Sequence, residues 1–201
     1  MLLSLLNSNY LETIDLGIVK DKRKDLANKY DECLSKSDVV ISSGGASDGV
    51  EDHTQNALKD IGAKCIVWQL AMKPGKPMAV GLLGKKIIFC LPGNPVAAFV
   101  CSKLLIKPLI IKLAGGVNLN PLSIKLPSGF EHNKKIGRAE YLRAKIVNED
   151  AKTFITLHGR KGAGVISSLT GADGIVEIPM EYKSVVKGEL LNFYPFDHRG
   201  L

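Results

Sequence analysis

Three glycine- or proline-rich turns, each at the end of an apolar run, constrain this chain more than any other feature. They are SSGGASDGVED (residues 42–52), MKPGKP (72–77) and LPGNP (91–95). VVIS before the first and IIFCL before the last are unbroken apolar runs rather than alternations. That is the pattern of short strands buried on both faces. After the first and third turns the spacing becomes helical. Strand, loop, helix, repeated, is the βα rhythm of a parallel sheet. In such sheets ligands sit beyond the carboxyl ends of the strands, where these loops lie.

Each loop has its own chemistry. Gly44 and Gly45 permit positive φ and close backbone approach, so consecutive N–H groups can form an anion-binding nest, to which Ser47 adds a hydroxyl donor. Asp52 reads in two ways. It is placed as a helix N-cap, with Gln55 as its capping-box partner, and equally as a carboxylate at a loop rim able to hold Mg²⁺ with waters and substrate phosphates. MKPGKP sets Lys73 and Lys76 on either side of a Pro-Gly turn, either as a pocket for an anion or as a solvated turn. In LPGNP, Asn94 can cap a helix and Pro95 occupies its first position, where a missing N–H costs nothing.

Composition narrows the classes. Two hundred and one residues, 45% of them hydrophobic, suffice for one or two domains with a real core. Cys33, Cys65, Cys90 and Cys101 show no CxxC or metal-type spacing, so they read as reduced thiols of a cytoplasmic protein rather than a disulfide framework. No apolar run reaches the ~20 residues of a membrane span, and MLLSLLNSNY lacks the basic n-region of a signal peptide. The net charge of +7 could suit nucleic acid. However, lysines mix with acids in KDKRKD (20–25) and aromatics are only 6%, so there is no interleaved stacking platform. A positive cleft for an oxyanion-bearing substrate is the preferred reading, against nucleic acid.

In chain order, helical spacing covers residues 2–12 and a strand is expected at 13–19. A helix follows at 22–35, a strand at 38–42, and a helix from 52 to 61 closed by Gly62. Strands follow at 64–68, 78–81 and 86–91, the last two joined by the turn Leu83–Gly84–Lys85. A long apolar helix then runs from Val96 to about Leu113. Residues 1–116 form an α/β domain and 117–121 a linker rich in Asn and Pro. Residues 122–201 form an all-β module, a small barrel or sandwich with strands at 122–126, 139–148, 154–158, 175–178 and 189–193. HGRKGAGVISSL (158–169) gives a flexible basic loop, either a solvated turn or an arm reaching an active site. No His/Cys cluster supports zinc, and no Ser/His/Asp arrangement follows from spacing.

The series GGASDGVED, VWQLAMKPGKPMAVG and LPGNPVAAF resembles the molybdopterin molybdenumtransferases, called MoeA in bacteria and the E domain of gephyrin in animals. GIVKD (17–21), GRAEYLRAKI (137–146) and SSLTGADGIVEIP (167–179) are similar to further signatures of that family in the same order, so the likeness spans about Leu2 to Tyr194. The resemblance implies a parallel-sheet, MogA-like molybdopterin-binding domain, truncated at its N-terminus, followed by a small all-β C-terminal domain. The family's first strand and pterin loop precede the point where this chain starts, which implies either a shortened form or another chain that fills the gap. It further implies insertion of molybdate into adenylylated molybdopterin with Mg²⁺ and release of AMP, by a homodimer.

On that resemblance Lys73, Lys76 and the Gly44, Gly45 and Ser47 loop hold the oxyanions. Pro92, Gly93, Asn94 and Pro95 contact substrate, and Asp21 and Asp52 hold Mg²⁺. Asp21 also reads as an N-cap of the helix at 22–35. Two departures are Gln69, where many members carry lysine, and Arg160, where they carry glutamine before GSG rather than KGAG. MogA-type molybdopterin adenylyltransferases share the core fold and the first and third loops, whereas KPGKP and the C-terminal module favour MoeA. A non-catalytic molybdopterin-binding or scaffold module of the same fold is the other alternative.

Overall fold

The computed structural model describes residues 1–44, 53–117, 119–159 and 166–196. The chain divides into two compact units. The first comprises Met1–Leu70 and Gly75–Asn118, the second Ala71–Pro74 and Leu119–Leu201.

The first unit holds α1 (Leu2–Leu6), α2 (Arg23–Lys36), β1 (Val39–Ser43), α3 (His53–Asp60), β2 (Lys64–Trp68), β4 (Ala79–Leu83), β5 (Lys86–Leu91), α4 (Pro95–Cys101) and α5 (Lys107–Leu113). Its sheet has the order β1-β5-β4-β2. β1 pairs with β5 in parallel, Ser43 opposite Leu91. The other two pairings are antiparallel, so the sheet is mixed rather than wholly parallel. A two-residue turn, with Gly84 at φ 59°, folds β4 back on β5 and fixes that direction. Only the longer crossover through α3 lets β1 and β5 run together.

The apolar pattern explains the packing. Ala27, Tyr30, Cys33 and Leu34 of α2 and Ala57 and Leu58 of α3 share a core with Val40, Ala79, Ile88 and Cys90 of the sheet. Gly81 of β4 leaves room there, because a Cβ at that position would lie 3.0 Å from a Leu58 methyl. Phe89 and Leu91, in the other phase of β5, are equally buried, as is the apolar side of α4.

Three further expectations in this unit change. The first helix stops at Leu6 rather than near residue 12. No strand forms at 13–19; instead the Gly17 N–H donates to Asp15 Oδ1 at 2.9 Å and Gly17 takes φ 75°. Such a side-chain turn competes with strand formation, and Ile18 is fully exposed. The long helix is interrupted by a π-helical turn at Ser102–Ile106. Pro108 follows it, offers no N–H and would crowd an α-helical carbonyl four residues back, so the wider turn accommodates it.

In the second unit, β3 (Met72–Lys73), β6 (Ile124–Pro127), β7 (His132–Asn133), β8 (Ala139–Glu149), β9 (Lys152–Leu157), β10 (Gly174–Ile178), β11 (Ser184–Val185) and β12 (Leu190–Pro195) are all strands. The main sheet runs β3-β8-β10-β12-β6, with β9 on the far half of β8. An isolated bridge from Ser128 to Ile155 brings the end of β6 back toward β9, so the sheet rolls up. Ala144, Ile155, Val176, Ile178, Leu191 and Phe193 fill the interior. β7 and β11 form a separate two-stranded ribbon. The sequence pattern marks none of the three two-residue strands β3, β7 and β11; β3 pairs in parallel with Ala139 and Glu140.

Candidate functional site

Two of the three loops meet at the carboxyl ends of the parallel pair. Gly44 takes φ 94° just past β1, and its N–H donates to Leu91 O at 3.1 Å. A Cβ at Gly93 would stand 3.4 Å from the Gly44 Cα, so the backbones after β1 and β5 are in contact. Asn94 then caps α4, its Oδ1 accepting from Val96 N at 3.1 Å and Ala97 N at 3.3 Å. Pro95 opens the helix and Pro92 precedes the turn, as the motif requires. Gly44, Pro92, Gly93, Asn94 and Pro95 are thus gathered at one rim. Gly45, Ser47 and Asp52 lie outside the described residues, as does the loop from Arg160 to Gly164.

The second loop divides between the units. Lys76 belongs to the first, where its carbonyl accepts from Leu70 N and Met78 N, both at 2.9 Å. Gln69, beside it, holds φ 64° while its N–H donates to Met78 O at 3.0 Å. Lys73 belongs to the second unit, where β3 sets it opposite Glu140. Its Nζ donates to Glu140 Oε1 at 3.0 Å, and His132 Nε2 lies 2.9 Å from Glu140 Oε2. The lysine side chain is 58% exposed, the glutamate 9%. Burial pushes the Glu140 carboxyl up, but hydrogen bonds and charge from His132 and Lys73 outweigh it and hold it below the usual range.

Asp21 is exposed and sits in a bend. It is neither at a strand end nor the cap of α2: Lys22 is the residue at that position and supplies no side-chain cap. Among the described residues no three His, Cys, Asp or Glu side chains gather as a metal site. A magnesium ion needs only one or two carboxylates when substrate phosphates and waters complete its shell; Asp21 is exposed to solvent.

Glu140 and His132 received no role from the sequence. A signal existed for Glu140. It shares the inward phase of β8 with Leu142 and Ala144, which pack in or against the core of the second unit, and an acidic residue in an inward phase needs partners to be tolerated. Nothing in sequence spacing marks His132.

Residues 1–112 match the family described as "Probable molybdopterin binding domain", and residues 125–196 match the "MoeA C-terminal region (domain IV)". The chain belongs to the molybdopterin-binding domain family, joined to a C-terminal region of the MoeA type. Its relatives are more particular. It is 32% identical over 196 residues to the molybdopterin molybdenumtransferase of Haemophilus influenzae, covering 96% of this chain and 48% of that protein. The enzyme of the same name from Nostoc sp. is 30% identical over 193 residues, covering 94% and 44%. A solved MoeA molybdopterin biosynthesis protein of Pyrococcus horikoshii superposes with a TM-score of 0.71 at 27% identity, over 90% of this chain and 43% of that one. The chain spans about half the length of the curated relatives it matches. No helix among the described residues is long and apolar enough to cross a membrane.

Proposed function

We propose that this chain carries the substrate-binding part of a molybdopterin molybdenumtransferase, acting in molybdenum cofactor biosynthesis to place molybdate on adenylylated molybdopterin with release of AMP. The observation that carries the reading is the joining of the Gly44 and Gly93 backbones at the ends of two parallel strands, in a chain that pairs both MoeA-type regions. Backbone N–H groups of the loop that follows Gly44, through Gly45 and Ser47, with the Pro92, Gly93, Asn94 and Pro95 turn, receive phosphate or molybdate oxygens. Lys73 and Lys76 supply counter-charge as the leaving phosphate gains it, and such electrostatic stabilisation usually does most to lower the barrier of a transfer of this kind. Asp21 and Asp52 would hold Mg²⁺, whose chemistry there is to neutralise the pyrophosphate. The chain supplies no covalent nucleophile in this reading. It acts in the cytoplasm, as a homodimer.

The test is incubation of the chain with adenylylated molybdopterin, molybdate and Mg²⁺, following AMP by chromatography. AMP release that requires both molybdate and Mg²⁺, and is lost in Asp52→Ala, is the expected result. Tight binding without release would assign a non-catalytic module instead, and no binding would refute the reading.

A further inference from the structure

We propose that Glu140, braced by His132, is a positioning residue that aims the Lys73 ammonium. The inference rests on the reading of Lys73 as a functional lysine and deepens it, by naming what holds that side chain.

The geometry is lopsided in an informative way. Glu140 is enclosed, with 9% of its side chain exposed, while Lys73 is 58% exposed. An exposed lysine on its own samples many rotamers, and an ordinary surface ion pair does little to stabilise a fold. A carboxylate taken out of water is costly unless its lone pairs are met. Here they are met from opposite sides. His132, on β7, engages Oε2, and Lys73, on β3, engages Oε1. The strand register fixes the third point, since Lys73 pairs directly with Glu140 in the β3–β8 ladder. His132 thus holds one carboxylate oxygen independently of the lysine. The pair consumes one of three ammonium protons and leaves two directed elsewhere. An enclosed, doubly anchored acceptor beneath a mostly open lysine restrains the lysine without covering it. All four elements of this arrangement (two strands, a ribbon histidine and the carboxylate) belong to the second unit.

The positioning role predicts which kinetic constant moves. Glu140→Gln keeps the size of the side chain but cannot accept from both neighbours as a carboxylate does. Turnover of adenylylated molybdopterin should fall about tenfold in kcat, with KM changed less than twofold, because the aim of the Lys73 ammonium is lost while the ammonium itself remains. His132→Gln retains an N–H donor and should stay near the parent, whereas His132→Ala should fall toward Glu140→Gln. Lys73→Ala combined with Glu140→Gln should be no slower than Lys73→Ala alone, since Glu140 acts through the lysine. A normal kcat in Glu140→Gln, or losses that multiply in the double variant, would overturn the proposal. If Glu140→Gln does not fold, Glu140→Asp replaces it with the same expectation, because its carboxylate is too short to span both partners.

A second readout separates this inference from the proposed activity. Acetylation of Lys73 by an N-hydroxysuccinimide ester, followed by peptide mass spectrometry on the full chain, should quicken severalfold in Glu140→Gln and in His132→Ala, with Lys187 unchanged. Should the parent chain show no turnover, the proposed function fails and this labelling alone decides. Equal labelling in parent and variants would then overturn the pairing's role.

Discussion

Removing the side chain of Asn94 tests the join between fold and site most directly. In the parent its Oδ1 accepts from two backbone N–H groups, at 3.1 and 3.3 Å. The residues that follow are enclosed, Val96 at 0% and Ala97 at 3% exposure, so water is poorly placed to take over those donors. Loss of such a cap costs about 1–2 kcal/mol. With a urea m-value of about 2 kcal/mol/M, Asn94→Ala should lower the unfolding midpoint by roughly 0.5–1 M. The protein has one tryptophan, Trp68, in β2 of the first unit, so fluorescence follows the unit that contains the cap. Asn94→Asp preserves the acceptor and adds a charge that suits a helix N-terminus, so its midpoint should match or exceed the parent's. The same charge should repel an incoming oxyanion and weaken its binding by about tenfold. If Asn94→Ala unfolds within roughly 0.1 M of the parent, or Asn94→Asp is as unstable as the alanine variant, the capping argument is wrong.

Three further outcomes follow from the packing. Lys134 donates to the carbonyls of Pro179, Met180 and Tyr182 at 3.0, 3.3 and 3.1 Å; Lys134→Met should destabilise the second unit by about 1–2 kcal/mol in a thermal melt. A Cβ at Gly174 would stand 2.5 Å from Tyr194 O and run into the Phe193 ring. The carbonyl is main chain and cannot swing aside, so Gly174→Ala should cost about 3 kcal/mol or more and lower the melting temperature on the order of 10 °C. Burial pushes the Cys101 thiol from an ordinary 9.0 up to about 12. Its neutral form is therefore favoured by the fold. That contribution is complete below pH 9.0 and drains away as pH rises toward about 12; at pH 8.5, iodoacetamide should modify the half-exposed Cys65 well before Cys101, read by mass spectrometry.

Local patterns carried much of the architecture. Lys64–Trp68 and Lys86–Leu91 form strands over the very residues their apolar, β-branched runs indicate, and the Gly84 turn joins β4 to β5. Gly62, at φ 74°, ends α3 as its position suggests. Each of these depends on neighbours within a few residues, so each is legible in a string of letters. The segment at 13–19 misled for the same reason. Its apolar content suggested a strand, but the Asp15 side chain offers the backbone a closer partner than any sheet edge.

What the sequence alone determined is chemical equipment and order: glycines able to turn past strand ends, an asparagine and proline ready to start a helix, and lysines flanking a Pro-Gly turn. Tertiary structure decided which of these meet. The contact of Gly44 with Gly93 spans nearly fifty residues of chain, and it exists because β1 and β5 lie side by side in parallel. The pairing of Lys73 with Glu140 crosses 67 residues, and places a lysine from one motif under the control of a carboxylate from another. Hydrogen bonds and excluded volume act over a few ångströms of space regardless of separation along the backbone, so only the folded chain could bring these groups within their reach.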